Sequence, residues 1–355
     1  MTPEQELLLR CAVPYPQADQ LEQIGRLLGL PLHWPEITAQ ANKHGLSQLL
    51  FHTTQQTGVE LPQAVRAELG QRFDRAIRSN LFLTGELLRL INLLAAEGIT
   101  AVPFKGPVLA ENLYGSLARR VFGDLDILVH EVDIEKVKTL VSAEGYTPQF
   151  HPDSAYQFVK KESQVVLEVH WEAISFGSDW LRKLKDKPLP ATLPHVAPRL
   201  IETKLGGKAV AALSPEDTLL ILTIHGSKHW WSRLNWLSDI AALIHVYPAL
   251  NWEWIVEQTN HWKIRRLVFL GLHLAQKLLQ VELPALVRQQ ITAEPQLEKL
   301  SRQVETMLFV EQNFHSRYIK RPAYFRQLWD TKDERRMVYR DHLALYLKLF
   351  SSLFK

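Results

Sequence analysis

Residues 121–130 read VFGDLDILVH, and two aspartates stand two apart inside a run that otherwise has the character of a buried β-strand. In a strand, alternate side chains face opposite ways, so Leu125, Ile127 and Val129 point to one side and Asp124 and Asp126 to the other. Two steps of strand rise span roughly 6.6 Å, close enough for the carboxylates to repel one another in a partly buried site. A divalent cation would turn that repulsion into attraction, so the neighbouring segments are to be searched for further ligands. Glu168 in VVLEVHWE is the first candidate, because it shares a strand face with His170 and Glu172 while Val165, Leu167 and Val169 face away. Upstream, Lys105-Gly106 closes a strand-like ITAVPFKG, and turns of that kind present backbone N–H groups to phosphates.

Around this centre the period of the apolar residues changes twice. Residues 1–98 read as helical, with Leu83, Leu87, Leu90, Ile91 and Leu94 on one face and Gly98 as a stop. LEQIGRLLG and QAVRAELGQRFDRAI read as shorter helices of the same kind. Residues 99–213 alternate strands and helices. ITAVPFKG and GDLDILV are strands, VLAENLY is a helix, and DIEKVKTLVSAEGY is a helix capped by Asp133. AYQFVKK and SQVVLEVHWE form a hairpin that turns near Glu162. From Ser214 the chain is helical again, with Ser214 at an N-cap, Pro215 in the first turn and Asp217 three residues after the cap. The spacing predicts an α+β fold with an α/β core over residues 99–213. Residues 1–98 and 214–355 are its helical flanks.

The 355 residues carry 46% hydrophobic and 22% charged side chains with a net charge of +3. That balance fits a globular protein and is too mild to argue for nucleic acid, which is not expected as a partner. The lone Cys11 excludes an intrachain disulfide, the first ten residues lack a signal-peptide core, and no apolar run reaches the roughly 20 residues of a membrane span. A cytoplasmic protein is expected.

FKGPVLAENLYGSLARRVFGDLDILV, LEVHW, SPEDTLLILTIHGSKH and LNWLSDIAALI together resemble a bacterial family of uncharacterised nucleotidyltransferases, within the polymerase-β-type superfamily. Phe104-Lys105-Gly106 with Arg120, Gly123, Asp124 and Asp126 carry the most specific part of that likeness. The resemblance implies that Asp124 and Asp126 hold Mg²⁺ (or Mn²⁺), with Glu168 as third ligand or general base. It implies a nucleoside triphosphate as donor and a small molecule or protein side chain as acceptor. A nucleotide-binding regulatory or scaffold protein without turnover is the alternative. The superfamily's usual Gly-Ser turn is replaced here by Lys105-Gly106-Pro107, so Lys105, Gly106 and Arg120 are the candidate triphosphate contacts.

Two histidines and a tail complete the inventory. His225 and His229 lie four apart on one helix face and, with His170, are candidate acceptor contacts. Gly226 stands where a zinc protease of the HExxH type needs glutamate, and Asp341-His342 reverses the dyad of a His-Asp phosphohydrolase, so both classes are set aside. His170 beside Trp171 also suits a hydrogen-bonded structural histidine. In the tail, Leu343, Leu347 and Phe350 form an apolar face suited to docking on the body or on a second subunit.

Overall fold

The computed structural model describes residues 1–149, 155–174, 191–310 and 321–328; the amphipathic tail around Leu343–Phe350 lies outside them. The chain opens with four helices: α1 (Pro3–Cys11), α2 (Ala18–Leu28), α3 (Trp34–Lys43) and α4 (Ser47–Gln56). A single long helix follows, α5 (Gln63–Ala96). The two apolar stretches that read as separate helices are therefore one, because nothing between them breaks the period: Gly70 and Gly85 are tolerated within a helix and no proline intervenes. It stops as expected at Gly98, whose φ of +75° only glycine adopts without strain, and Ile99 N–H closes back on Leu94 C=O.

The mixed sheet has the order β1-β2-β5-β4-β3. β1 (Val102–Pro103) is shorter than the sequence suggests and pairs antiparallel with β2 (Asp124–Leu128). Between them α6 (Pro107–Tyr114) begins at Gly106. After β2 come α7 (Ile134–Ala143), β3 (Tyr146–Gln149), β4 (Ala155–Lys160) and β5 (Val166–His170). β2 and β5 run parallel; β4–β5 is the expected antiparallel hairpin. Asp133 precedes α7 but makes no side-chain cap; a 3₁₀ turn at Glu131–Asp133 does that work, with His130 accepting from Val132 N–H. β3 takes up Tyr146, beyond the end of α7, because Gly145, with φ +85°, turns the chain between them.

A short helix α8 (Leu193–Val196) leads to a second hairpin, β6 (Ile201–Leu205) and β7 (Lys208–Ala212), turned by Gly206 and Gly207 at positive φ. α9 (Pro215–Lys228) starts as the sequence indicates: Ser214 Oγ accepts from Asp217 N–H at 3.1 Å. Then follow α10 (Asn235–Val246), α11 (Trp252–His261), α12 (Arg265–Leu279), α13 (Ala285–Thr292), α14 (Gln296–Leu308) and α15 (Arg321–Leu328).

Burial divides the apolar side chains among three clusters. One packs α5 and α7 against the sheet face of Leu125, Ile127, Leu167 and Val169, the face opposite the acids. The largest runs through α9, α10 and α12 and reaches β1 and α6 through Val102, Phe104, Leu109 and Leu113. The third joins α1–α4 to the start of α5. The second cluster packs the C-terminal helices against α6 and the β1 edge of the sheet. No helix among the described residues is long and apolar enough to cross a membrane.

Candidate active site

The acids meet through strand register. Asp126 and Glu168 are direct partners across the parallel pair β2–β5, and Asp124 is opposite Val166. Asp124, Asp126, Glu168 and His170 thus share the sheet face turned away from the apolar cluster. Asp126 is 2% exposed, whereas Asp124, at the strand's open end, is exposed. The partners of the buried carboxylate are close: Lys105 Nζ stands 2.8 Å and His170 Nε2 3.2 Å from Asp126 Oδ1, and His170 Nε2 is 3.3 Å from Glu168 Oε2. Gln157, opposite Glu168 on β4, donates to Glu168 Oε1 at 3.2 Å.

These pairings divide the titration of the two aspartates. Burial alone would raise Asp126, but the Lys105 ammonium and the His170 hydrogen bond outweigh it and hold the carboxyl far below the usual range. Asp124 then faces a fixed negative charge and is partly desolvated, which pushes it up to about 6. The repulsion anticipated between the pair therefore falls on Asp124. The hydrogen bond from His170 keeps Glu168 low; His170 is raised because its two carboxylate partners outweigh burial.

Asp126, Glu168 and His170 each offer one ligand atom, all within 4.8 Å of one another. Two carboxylate oxygens and an imidazole nitrogen are donors that suit a divalent cation. His170 Nδ1 is buried without a partner, so the ring is committed through Nε2 to the acids. The group of side chains close enough to share a cation takes in His170 and leaves out Asp124, whereas the expected set was Asp124, Asp126 and Glu168. The signal was present in the sequence, since His170 lies two residues after Glu168 on the same strand face.

The turn before α6 packs tightly on β2. Gly106 has φ +53°, and a Cβ there would lie 3.1 Å from Asp124 C=O. Pro107, in the first turn of α6, brings no N–H. Arg120, expected at the triphosphate, directs both arms of its guanidinium onto buried Asp239, with Nε at 2.7 Å and Nη2 at 2.8 Å. Tyr114 O–H donates to the same Asp239 at 2.7 Å, and Asn80 of α5 clamps the Arg120 carbonyl at 2.9 Å. The network ties α6 and the loop before β2 to α10, and no spacing rule links residues 119 apart.

A cavity of about 800 Å³ joins these elements. On the sheet side it is lined by Lys105, Gly106, Arg120, Asp124, Asp126, Glu168 and His170, and on the helical side by His225, Lys228, His229, Arg233 and Trp236. Thus the candidate metal, triphosphate and acceptor residues read from the sequence line one cleft. The rings of His225 and His229 lie 4.6 Å apart, and both meet Trp236 at about 5.5 Å. Burial, together with the charges of Lys105, His229 and Lys228, holds His225 well below its ordinary pKa.

A family profile described as uncharacterised nucleotidyltransferase matches residues 31–280, well over half of the chain. The chain belongs to that family. Among solved structures, it is similar to the lincomycin-bound lincosamide antibiotic adenylyltransferase LnuA at 18% identity, covering 46% of this chain and 96% of that one, with a TM-score of 0.31. It is similar to the antibiotic-resistance factor ANT(2'')-Ia at 12% identity, covering 53% and 94%, with a TM-score of 0.37. A nucleotidyltransferase-like antigenic protein from Paracoccidioides brasiliensis matches at 14% identity over 57% and 94%, with a TM-score of 0.33. No curated protein matches the chain.

Proposed function

We propose that this nucleotidyltransferase family member transfers a nucleoside monophosphate from a nucleoside triphosphate to an acceptor hydroxyl or similar nucleophile. The observation that carries this reading is the register pairing of Asp126 with Glu168 at the floor of a large cleft. Asp126, Glu168 and His170 would hold a divalent cation, Mg²⁺ or Mn²⁺, with Asp124 at the open rim as a further carboxylate. Such a cation supplies charge neutralisation at the transferred phosphate. Glu168 takes the proton of the attacking acceptor. The acceptor oxygen bonds to the α-phosphorus, the bond to the bridging oxygen of the β-phosphate breaks, and pyrophosphate leaves. Lys105 keeps Asp126 ionised, and Arg120 acts through Asp239 to fix the loop that precedes β2. His225 and His229, with Trp236, form the wall that the acceptor meets. Residues 99–213 serve as the catalytic unit and the segments on either side as its helical walls.

A nucleotide-binding protein without turnover is the second reading. It is favoured by Lys105, whose ammonium sits on the Asp126 oxygen that a cation would take. One screen separates the two. The four ribonucleoside triphosphates, each labelled at the α-phosphate, are incubated with the protein, Mg²⁺ or Mn²⁺ and a cell lysate. Transferred label on a small molecule or protein supports the transferase and identifies the acceptor class. Nucleotide binding with no transferred label supports the second reading.

A further inference from the structure

Lys105 stands between two residues pinned to β2. Phe104 N–H donates to Asp126 C=O at 3.4 Å, which carries the β1–β2 ladder one residue further. One residue beyond Lys105, Gly106 is held against the carbonyl of Asp124, which a Cβ there would approach to 3.1 Å. The buried Phe104 ring meets His170 edge-on at 5.1 Å, and Lys105 Nζ lies 4.9 Å from the centre of the same ring. The backbone on either side of Lys105 is fixed, and the freedom that remains is in its side chain.

That freedom separates it from the other cation on the sheet side. Arg120 places two guanidinium nitrogens on buried Asp239 and is committed there. The Lys105 ammonium makes one hydrogen bond, 2.8 Å to Asp126 Oδ1, and its side chain lines the cavity. Lysine carries its charge on a flexible stem with rotatable donors, so the ammonium can be redirected while the backbone stays in place. Its partner is contested. Asp126 belongs with Glu168 and His170 to the group whose ligand atoms lie within 4.8 Å of one another. A divalent ion on either oxygen of that carboxylate would stand a few ångströms from the ammonium, and at a side chain only 2% exposed the two cations repel strongly. Leaving Asp126 with no new partner would strand an ammonium that is only 16% exposed, so the lysine needs another anion when it gives the carboxylate up.

Resting on the nucleotidyl-transfer reading, in which a triphosphate enters the same cavity, we propose that Lys105 is a movable counter-ion. Its ammonium neutralises Asp126 until a divalent cation takes that carboxylate, then turns to the phosphate oxygens that arrive with the cation. Cation and triphosphate are thereby coupled. The ion clears the ammonium from Asp126, and the phosphates give the displaced ammonium a partner, so each binds more tightly when the other is present. Loading by the ion alone is disfavoured by the same contact.

Calorimetric titration of the full chain tests this with Mn²⁺ alone and with a non-hydrolysable triphosphate analogue of each of the four bases, the analogues in chelator and again in saturating Mn²⁺. The proteins are wild type, Lys105→Met and Lys105→Gln, each checked by thermal melting in chelator. Glutamine keeps a donor for Asp126 in case the methionine variant does not fold. Both variants are expected to bind Mn²⁺ alone about tenfold more tightly than wild type, the scale of one charged hydrogen bond. They should bind the analogue about tenfold less tightly in Mn²⁺ but within about threefold of wild type in chelator, where Lys105 still serves Asp126. Unchanged or weaker Mn²⁺ binding overturns the counter-ion, and so does an analogue loss as large in chelator as in Mn²⁺, which a lysine fixed on the phosphates would give. Both results leave nucleotidyl transfer standing. A wild-type protein that binds none of the four analogues in either condition overturns that reading as well.

Discussion

Asp126 and Glu168 face each other across the parallel strands β2 and β5, and one histidine nitrogen, His170 Nε2, lies within 3.3 Å of both carboxylates. With Lys105 added, the pair is an electrostatic unit in which the buried aspartate is paired and the exposed one, Asp124, bears the repulsion.

That division predicts opposite effects for two alike substitutions in the metal-free protein. Asp124→Asn removes the charge that Asp126 repels and should raise the melting temperature at neutral pH. Asp126→Asn strips the partner from largely buried Lys105 and should lower it, by an amount on the order of 3 kcal/mol in unfolding free energy. Thermal melts in chelator compare the two directly.

Asp239 should matter more for stability than its distance from the acids suggests. Asp239→Asn leaves the Arg120 guanidinium buried and uncompensated, which typically costs about 3–5 kcal/mol. Tyr114→Phe removes one buried hydrogen bond to the same carboxylate and should cost about 1 kcal/mol. Denaturant unfolding measures both, and a double-substitution cycle should show that they are not additive.

Two glycines in helices should respond in opposite directions. Gly226→Ala drives a Cβ into the Trp231 ring, which nothing nearby can yield to, and should destabilise by about 3 kcal/mol or more. Gly85→Ala, in the middle of α5, meets nothing within 4 Å and should stabilise by about 0.5–1 kcal/mol through helix propensity. Unfolding curves for the pair test whether the tight turn at Trp231 is specific.

His44 predicts a pH dependence away from the acids. It is 0% exposed, its Nε2 has no partner, and burial with help from Lys43 and Arg233 lowers its pKa to about 4. The folded state thus binds its proton less readily than the unfolded chain, whose histidine titrates near 6.5. The stability associated with neutral His44 is complete above about pH 6.5 and is lost as pH falls towards 4. The full loss corresponds to about 3 kcal/mol. Unfolding free energies of wild type and His44→Gln at pH 7.5 and 4.5 should show the smaller drop in the variant.

Much of the candidate site's geometry was legible because its signal is local. Alternation in GDLDILV and VVLEVHWE set Asp124, Asp126 and Glu168 on like faces, and Ser214 announced α9 through its own cap. The β6–β7 hairpin carries a local signal too, in Gly206-Gly207 between two short runs with strand character. What escaped depends on tertiary closure. Arg120 was read as a phosphate contact because a cation beside an acidic strand looks the same whether it faces solvent or a carboxylate 119 residues later. Lys228 and Arg233 line the cleft on either side of Trp230 and Trp231, whose positive-φ backbone no propensity announces.

The most direct test follows the γ-phosphate. A nucleoside triphosphate labelled there is incubated with Mg²⁺ or Mn²⁺ and an acceptor-containing lysate, with wild type and with Asp126→Ala. Wild type should return the label as pyrophosphate, and Asp126→Ala should return almost none. Label recovered from wild type as orthophosphate or on the acceptor would contradict nucleotidyl transfer, and undiminished pyrophosphate release by Asp126→Ala would contradict the site.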